Sequence, residues 1–281
     1  MAQDSIQRFL FQDHAVRGQV LQLHQAWQAM LQDRHYPTNL QQLFGELTAF
    51  AVLLANGMKY EGRLTLQVQG KGPVNLLVVD IDDALQLRGV AKTQAPLTDL
   101  TGAQALLGDG QILVTLENRQ TDHFYQSYVG RESDDLVQDL QGFLTQSEQL
   151  ESRLFIAVSD TTIGALYLQK MPETDGHDAD AWDRVSHLAA TVKPEELLNL
   201  DSATLLTRLY HEEQVELFPA RLPLYHCPGN REQVATMIKA LGETEARAIL
   251  AEQGEIVVHN DMCNRYERFN ADDLDQLFKP A

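Results

Sequence analysis

Residues 45–80 read GELTAFAVLLANGMKYEGRLTLQVQGKGPVNLLVVD, and the hydrophobic period changes within this stretch. Its first part, taken with the preceding residues as 40–58, keeps apolar positions at helical spacing in a helix-favouring composition and stops near Gly57; this predicts a helix. In the second part, 62–68 alternates apolar with polar residues, and 74–80 is nearly all apolar. Gly70-Lys71-Gly72-Pro73 between them is the turn of a hairpin. Outward from there, 86–91, 111–117 and 124–129 carry strand patterns, 134–147 is helical, and 153–158 with 165–169 forms a last hairpin. Helices mixed with hairpin-joined strands, without regular βαβ units, predict an α+β fold with a largely antiparallel sheet over 1–172.

The character changes in 173–222. PETDGHDAD is a turn-rich acidic boundary, and Asp178 or Asp180 is placed to cap a helix with Trp182, Val185, Leu188, Ala189 and Val192 on one side. Pro194, with Glu195 and Glu196, opens a second helix. Ser202 precedes a third, which carries Leu205, Leu206, Leu209 and Tyr210. Helices this short are marginal alone, since isolated stability needs about 12–15 residues. They must pack on the first section, a partner subunit or a client.

The last section, 223–281, predicts helices over 232–241 and 244–252, a strand over 255–259, a turn over 260–265 and a terminal helix over 272–278. Gly242 and Gly254 punctuate it. A module of under about 60 residues has a marginal core and needs a metal, a disulfide or docking.

The chain has 281 residues, 44% of them apolar, with 22 Lys and Arg against 40 Asp and Glu and a net charge of −18. Nucleic-acid binding is driven by basic patches that release counterions, so this balance argues against such a partner. The most apolar window, 47–55, is too short for a bilayer span of about 20 residues, so no membrane partner is expected. The N-terminal sequence lacks the pattern of an export signal. A cytoplasmic location is the expectation, and Cys227 and Cys263 alone do not make a disulfide framework.

Several short strings fix a closer comparison. They are Val16-Arg17-Gly18, the whole of 45–80, Leu87-Arg88-Gly89-Val90-Ala91, Leu107-Gly108-Asp109-Gly110 and Ser147-Glu148-Gln149-Leu150. Further on come Arg153-Leu154-Phe155-Ile156, Leu209-Tyr210-His211-Glu212-Glu213 and 249–256, ILAEQGEI. In this order and spacing the chain resembles the heat-shock protein 33 family over nearly its whole length. The resemblance implies a non-enzymatic, ATP-independent holdase that binds unfolding client proteins, typically as a homodimer. It also implies a C-terminal module in which four cysteines, Cys-x-Cys and Cys-x-x-Cys, bind zinc as thiolates. In that scheme oxidation forms two disulfides, ejects the metal, unfolds the module and destabilises the helical linker. Client-binding surface would then come from Trp182, Val185, Leu188, Leu205 and Leu209.

Here the pattern is half present. The two motifs stand as Cys227-Pro228-Gly229 and Asn260-Asp261-Met262-Cys263, and two thiolates do not complete a tetrahedral site. Three readings stay open. Histidines substitute, with Cys227, His259 and Cys263 as ligands and His226 as a weak fourth. Alternatively, Cys227 and Cys263 form one reversible disulfide. In the third, the site is vestigial, and a core of Leu224, Val234, Ile238, Leu241, Ile249, Leu250, Ile256 and Phe269 holds the module. A thiol-based redox enzyme or sensor using Cys227 or Cys263 is the competing function.

Other constellations carry less. Asp80, Asp82 and Asp83 lack calcium-loop spacing and suit a strand end and turn. Gly70-Lys71-Gly72 lacks the ending of a phosphate loop. Ser159-Asp160 and the scattered His14, His24, His35 and His123 form no nucleophile signature.

Overall fold

A computed structural model describes residues 3–58, 61–121, 123–172, 180–229 and 231–279. The chain divides into two units, Met1–Tyr225 and His226–Ala281. In chain order the first begins with β1 (Ser5–Phe11), β2 (Val16–Leu23), α1 (Gln25–Leu31) and α2 (Thr38–Gly57). There follow β3 (Gly62–Gly70), β4 (Val74–Asp82), β5 (Gln86–Thr93), α3 (Ala103–Leu107), β6 (Gly110–Asn118), β7 (His123–Gly130), α4 (Leu136–Glu148), β8 (Ser152–Val158) and β9 (Ile163–Lys170). Helices α5 (Ala181–Ala189), α6 (Pro194–Asn199) and α7 (Ser202–Leu209) lead to two short strands, β10 (Val215–Leu217) and β11 (Leu224–Tyr225).

Two sheets result, ordered β10-β1-β2-β9-β8 and β11-β5-β4-β3-β6-β7. All named pairings in them are antiparallel except β11 with β5. The fold is α+β, as the patterning predicts. Helix α2 is buried along most of its length, and its Leu43, Phe44, Leu47, Phe50 and Val52 share one core with residues of both sheets.

The first sheet is apolar on both faces. Because successive side chains of a strand alternate, Leu21 and Leu23 of β2 join the α2 core while Val16 and Val20 face the other way. Likewise Ile163, Ala165 and Tyr167 of β9 face α2, and Leu166 and Leu168 face away. Every residue of β9 up to its terminal Lys170 is therefore buried. The outward face is covered by α5, α6 and α7, so the short helices pack on the first section of their own chain.

The second unit contains α8 (Arg231–Leu241), α9 (Glu243–Gln253), β12 (Ile256–Asn260), β13 (Arg265–Phe269) and α10 (Ala271–Leu277). Strands β12 and β13 form an antiparallel hairpin. Val234, Ile238, Ala246, Ile256, Phe269 and Leu274 are its buried core, with Ile249 and Leu250 packed against it. Gly254 closes α9 with φ of +80°, a conformation that glycine adopts without a Cβ penalty.

Several expectations need correction. Leu224 is not part of the second unit's core: it is 56% exposed and lies in β11, paired with Gln86 of β5. Leu241 is 50% exposed: it shares the α8 face of Val234 and Ile238 but stands in the last turn, past the end of the small core. The turn expected over 260–265 is present between β12 and β13, but the strand that follows it was not expected, because its alternating charges hide its single buried position, Phe269. Strands β1, β2, β10 and β11 and helix α1 were not legible as elements. Asp178 lies outside the described residues; Asp180 holds the N-cap position of α5, while Ser202, expected just before the third helix, is the first residue of α7, which Asp201 caps through the Thr204 N–H at 3.0 Å.

Candidate functional site

The carboxylates at the end of β4 are structural. Asp80 accepts from Arg63 at 2.7 Å and Arg88 at 2.9 Å, and its other oxygen accepts from the Thr65 hydroxyl at 3.1 Å. The cross-strand register places Thr65 and Arg88 on either side of Asp80. Asp82 accepts the N–H groups of Ala84 and Gln86, and Asp83 that of Gly62, which fixes the turn.

The first candidate region is the helical layer over β1, β2, β9 and β8. Trp182, Val185, Leu205 and Leu209 are buried in it, Trp182 to within 5% exposure, and Leu188 is half-buried. Their partners are Phe9, Phe11, Val16, Val20, Leu166 and Leu168. Trp182 Nε1 donates to Glu151 at 3.0 Å, and the Arg153 guanidinium lies 5.4 Å from its ring centre. Gln22, from the sheet, donates to the carbonyls of Leu197 and Leu200. Glu213 accepts from Arg184 of α5 and from His14 of the β1–β2 turn, each at 2.8 Å. Chiefly the Arg184 bond, aided by His14, holds the Glu213 carboxyl below its usual range against the opposing effect of burial.

This layer is also frustrated. Among the described residues, the hydroxyls of Ser186, Ser202 and Tyr210 are buried without a hydrogen-bonding partner. A buried unsatisfied hydroxyl costs about 1–3 kcal/mol. Burial likewise pushes the Tyr210 phenol well above its ordinary range. Apolar contact holds these helices down while their polar groups oppose it.

A patch that sequence patterning did not single out lies on β7, at the edge of the second sheet. Phe124, Tyr125 and Tyr128 are exposed there. The available signal was composition, since 123–130 carries no Lys, Arg, Asp or Glu.

The second region is the cysteine pair of the second unit. Cys227 and Cys263 are joined as a disulfide, with Cα atoms 5.7 Å apart, inside the span of about 4.4–6.8 Å usual for such bonds. Cys263 sits in the β12–β13 turn. Its N–H donates to the Asn260 carbonyl at 3.2 Å and to Asn260 Oδ1 at 3.3 Å. Asn264 completes the turn with φ of +48°.

The donor set does not fit a zinc ion. His259 Nδ1 lies 3.0 Å from Asp261, its Nε2 lies 3.1 Å from Asn264, and its ring packs on Tyr266 at 4.4 Å. His226 is exposed, Gly229 has no donor, and each sulfur is bonded to the other. Among the described residues no group of three or more His, Cys, Asp or Glu is placed to hold a metal ion.

Comparison with known proteins decides what this architecture is. The family model described as Hsp33 protein matches residues 4–270. The chain belongs to the Hsp33 family. It is 39% identical over 277 residues to the 33 kDa chaperonin of Methylobacillus flagellatus, covering 98% of this chain and 94% of that one. To the 33 kDa chaperonin of Vibrio cholerae it is 36% identical over 285 residues, covering 100% and 97%. A crystal structure of the Hsp33 homolog, a 33 kDa chaperonin, from Thermotoga maritima has the same fold, with a TM-score of 0.80, 21% identity and 98% of each chain covered. The Hsp33 fold thus holds across nearly all of the chain, although the four-cysteine pattern expected from the resemblance is reduced to one pair.

Proposed function

We propose that this protein is an ATP-independent holdase that binds unfolding client proteins and keeps them from aggregating, without catalysing a reaction. The observation that carries this reading is the layer of three short helices on an apolar sheet face. Lifting it would expose two apolar surfaces together: Trp182, Val185, Leu188, Leu205 and Leu209 on the helices, and Phe9, Phe11, Leu166 and Leu168 on the sheet. Broad apolar surface without a shaped pocket suits partners that share only exposed hydrophobic residues. Membership of a family whose relatives are named chaperonins supports the same conclusion.

The cytoplasm is the setting this reading implies, and a homodimer is the proposed assembly. No helix among the described residues is long and apolar enough to cross a membrane, and the net charge of −18 disfavours nucleic acid. A thiol enzyme is disfavoured, because a cysteine nucleophile needs a free thiolate and each sulfur here is bonded to the other.

The test is thermal aggregation of citrate synthase with the purified protein, once in reductant and once after peroxide treatment. Suppression in at least one state is expected; no suppression in either overturns the holdase reading. The double variant Trp182→Ser with Leu188→Ser should lose at least half of the suppression while the α2 core stays folded by circular dichroism. Undiminished holding would remove these side chains from the client surface.

A further inference from the structure

We propose that the Cys227–Cys263 bond is a closing staple: oxidation holds the C-terminal module folded, reduction loosens it, and no metal takes part in either state. This reverses the sense of the four-cysteine scheme, in which oxidation opens the module.

Three observations carry it. First, the bonded pair coexists with a complete module: α8, α9, the β12–β13 hairpin, α10 and their shared core are all in place. The bond therefore asks for no unfolding. Second, it ties the segment before α8 to the turn after β12, across a separation of 36 residues, and so encloses both helices in one loop. Closing a loop of that length removes much of the unfolded chain's freedom, and the folded state of a small module gains accordingly. Third, the positions that would complete a metal site do other work. Asn260 uses its side-chain oxygen on the Cys263 N–H within the turn, His259 is engaged by Asp261 and Asn264, and Gly229 offers no side chain. The turn is closed by hydrogen bonds and a covalent bond where a metal would otherwise close it.

The chemistry balances with a peroxide as oxidant and a dithiol as reductant. Cys263 is 6% exposed, while Cys227 is the more open of the two, so the Cys227 thiolate is the one a peroxide reaches. It attacks one peroxide oxygen, the O–O bond breaks, and hydroxide leaves, giving a sulfenic acid on Cys227. The Cys263 thiolate then attacks that sulfur, the S–S bond forms, and hydroxide leaves again. Two thiols and one hydrogen peroxide yield one disulfide and two waters. A dithiol reverses the step by exchange and becomes a disulfide itself.

The effect on module stability stands by itself; its consequence, that peroxide restrains holding and reduction with heat releases it, rests on the holdase reading. The full-length protein would be compared after peroxide, after dithiothreitol, and after dithiothreitol with zinc chloride or a chelator. Hydrogen exchange of peptides within 231–279 is the readout, with free thiols and bound zinc measured on the same samples. Reduction should speed exchange there about tenfold or more, and lower the module's melting by about 10 °C. Zinc and chelator should change neither, and Cys227→Ser and Cys263→Ser should match the reduced protein whether or not peroxide is added. Faster exchange on oxidation, or one zinc per chain that slows exchange in the reduced protein, would overturn the proposal. Citrate synthase holding that rises with peroxide, while the exchange pattern is as expected, would overturn the regulatory consequence alone.

Discussion

Gly164 of β9 lies directly beneath Leu197 of α6: a Cβ on Gly164 would stand 2.1 Å from the Leu197 carbonyl oxygen and 2.5 Å from its carbon. The contact is backbone against backbone, so no rotamer change relieves it. Gly164→Ala should therefore push α6 off the sheet and lower stability by about 2 kcal/mol or more. Urea denaturation would measure the loss, and exchange of 194–209 would locate it. An unchanged midpoint would mean that the layer is not seated through this contact. On the holdase reading the same variant should suppress aggregation at a lower temperature than the parent.

Tyr210 gives the opposite lever. Its ring packs among Phe9 and Phe11, with centroids 6.5 Å and 5.0 Å away, while its hydroxyl is buried without a partner among the described residues. Tyr210→Phe keeps the ring and removes the unsatisfied group. A gain of about 1 kcal/mol is expected, seen as a higher urea midpoint, together with weaker heat-triggered holding. A loss of stability on this substitution would show that the hydroxyl is satisfied in solution.

Glu46 makes stability depend on pH. It is buried in α2, and burial pushes its pKa from 4.5 up to about 7; a hydrogen bond from Gln42 opposes this, and the Asp135 charge adds to it. Because the folded value lies above the unfolded one, the folded state binds the proton more tightly. The resulting stabilisation is full below about pH 4.5 and is lost as pH rises towards 7. A rise of this size corresponds to about 3 kcal/mol. Glu46→Gln should therefore stabilise the protein by about 2–3 kcal/mol at pH 8 and by little at pH 5. Equal effects at both pH values in chemical denaturation would refute the assignment.

The missing zinc pattern can be rebuilt. Gly229→Cys with Asn260→Cys restores the Cys-x-Cys and Cys-x-x-Cys spacings that the family resemblance implies. The double variant, purified in reductant, should hold about one zinc per chain by metal analysis, whereas the parent should hold none. If both proteins hold zinc equally, the reading of the parent's donor set is wrong.

The sequence by itself determined the parts whose pattern is local. The 3.6-residue period of 40–58, the hairpin punctuation around Gly70–Pro73, and the ordered motifs of the Hsp33 family were enough for fold class and family. The halved cysteine pattern was equally plain in the chain. Strands β1 and β2 escaped because each sends core residues to both faces, Ile6 opposite Phe9 and Phe11, and Leu21 and Leu23 opposite Val16 and Val20, while Arg8 and Arg17 interrupt the apolar pattern. Strands β10 and β11, of 3 and 2 residues, exist only because a sheet edge is there to receive them. The site was decided in three dimensions for the same reason. Which of three fates the cysteine pair takes depends on the approach of two segments 36 residues apart and on what Asn260 and His259 bond to. Spacing along a chain constrains neighbours on one helix or strand; it says nothing about distances across a fold, which packing alone sets.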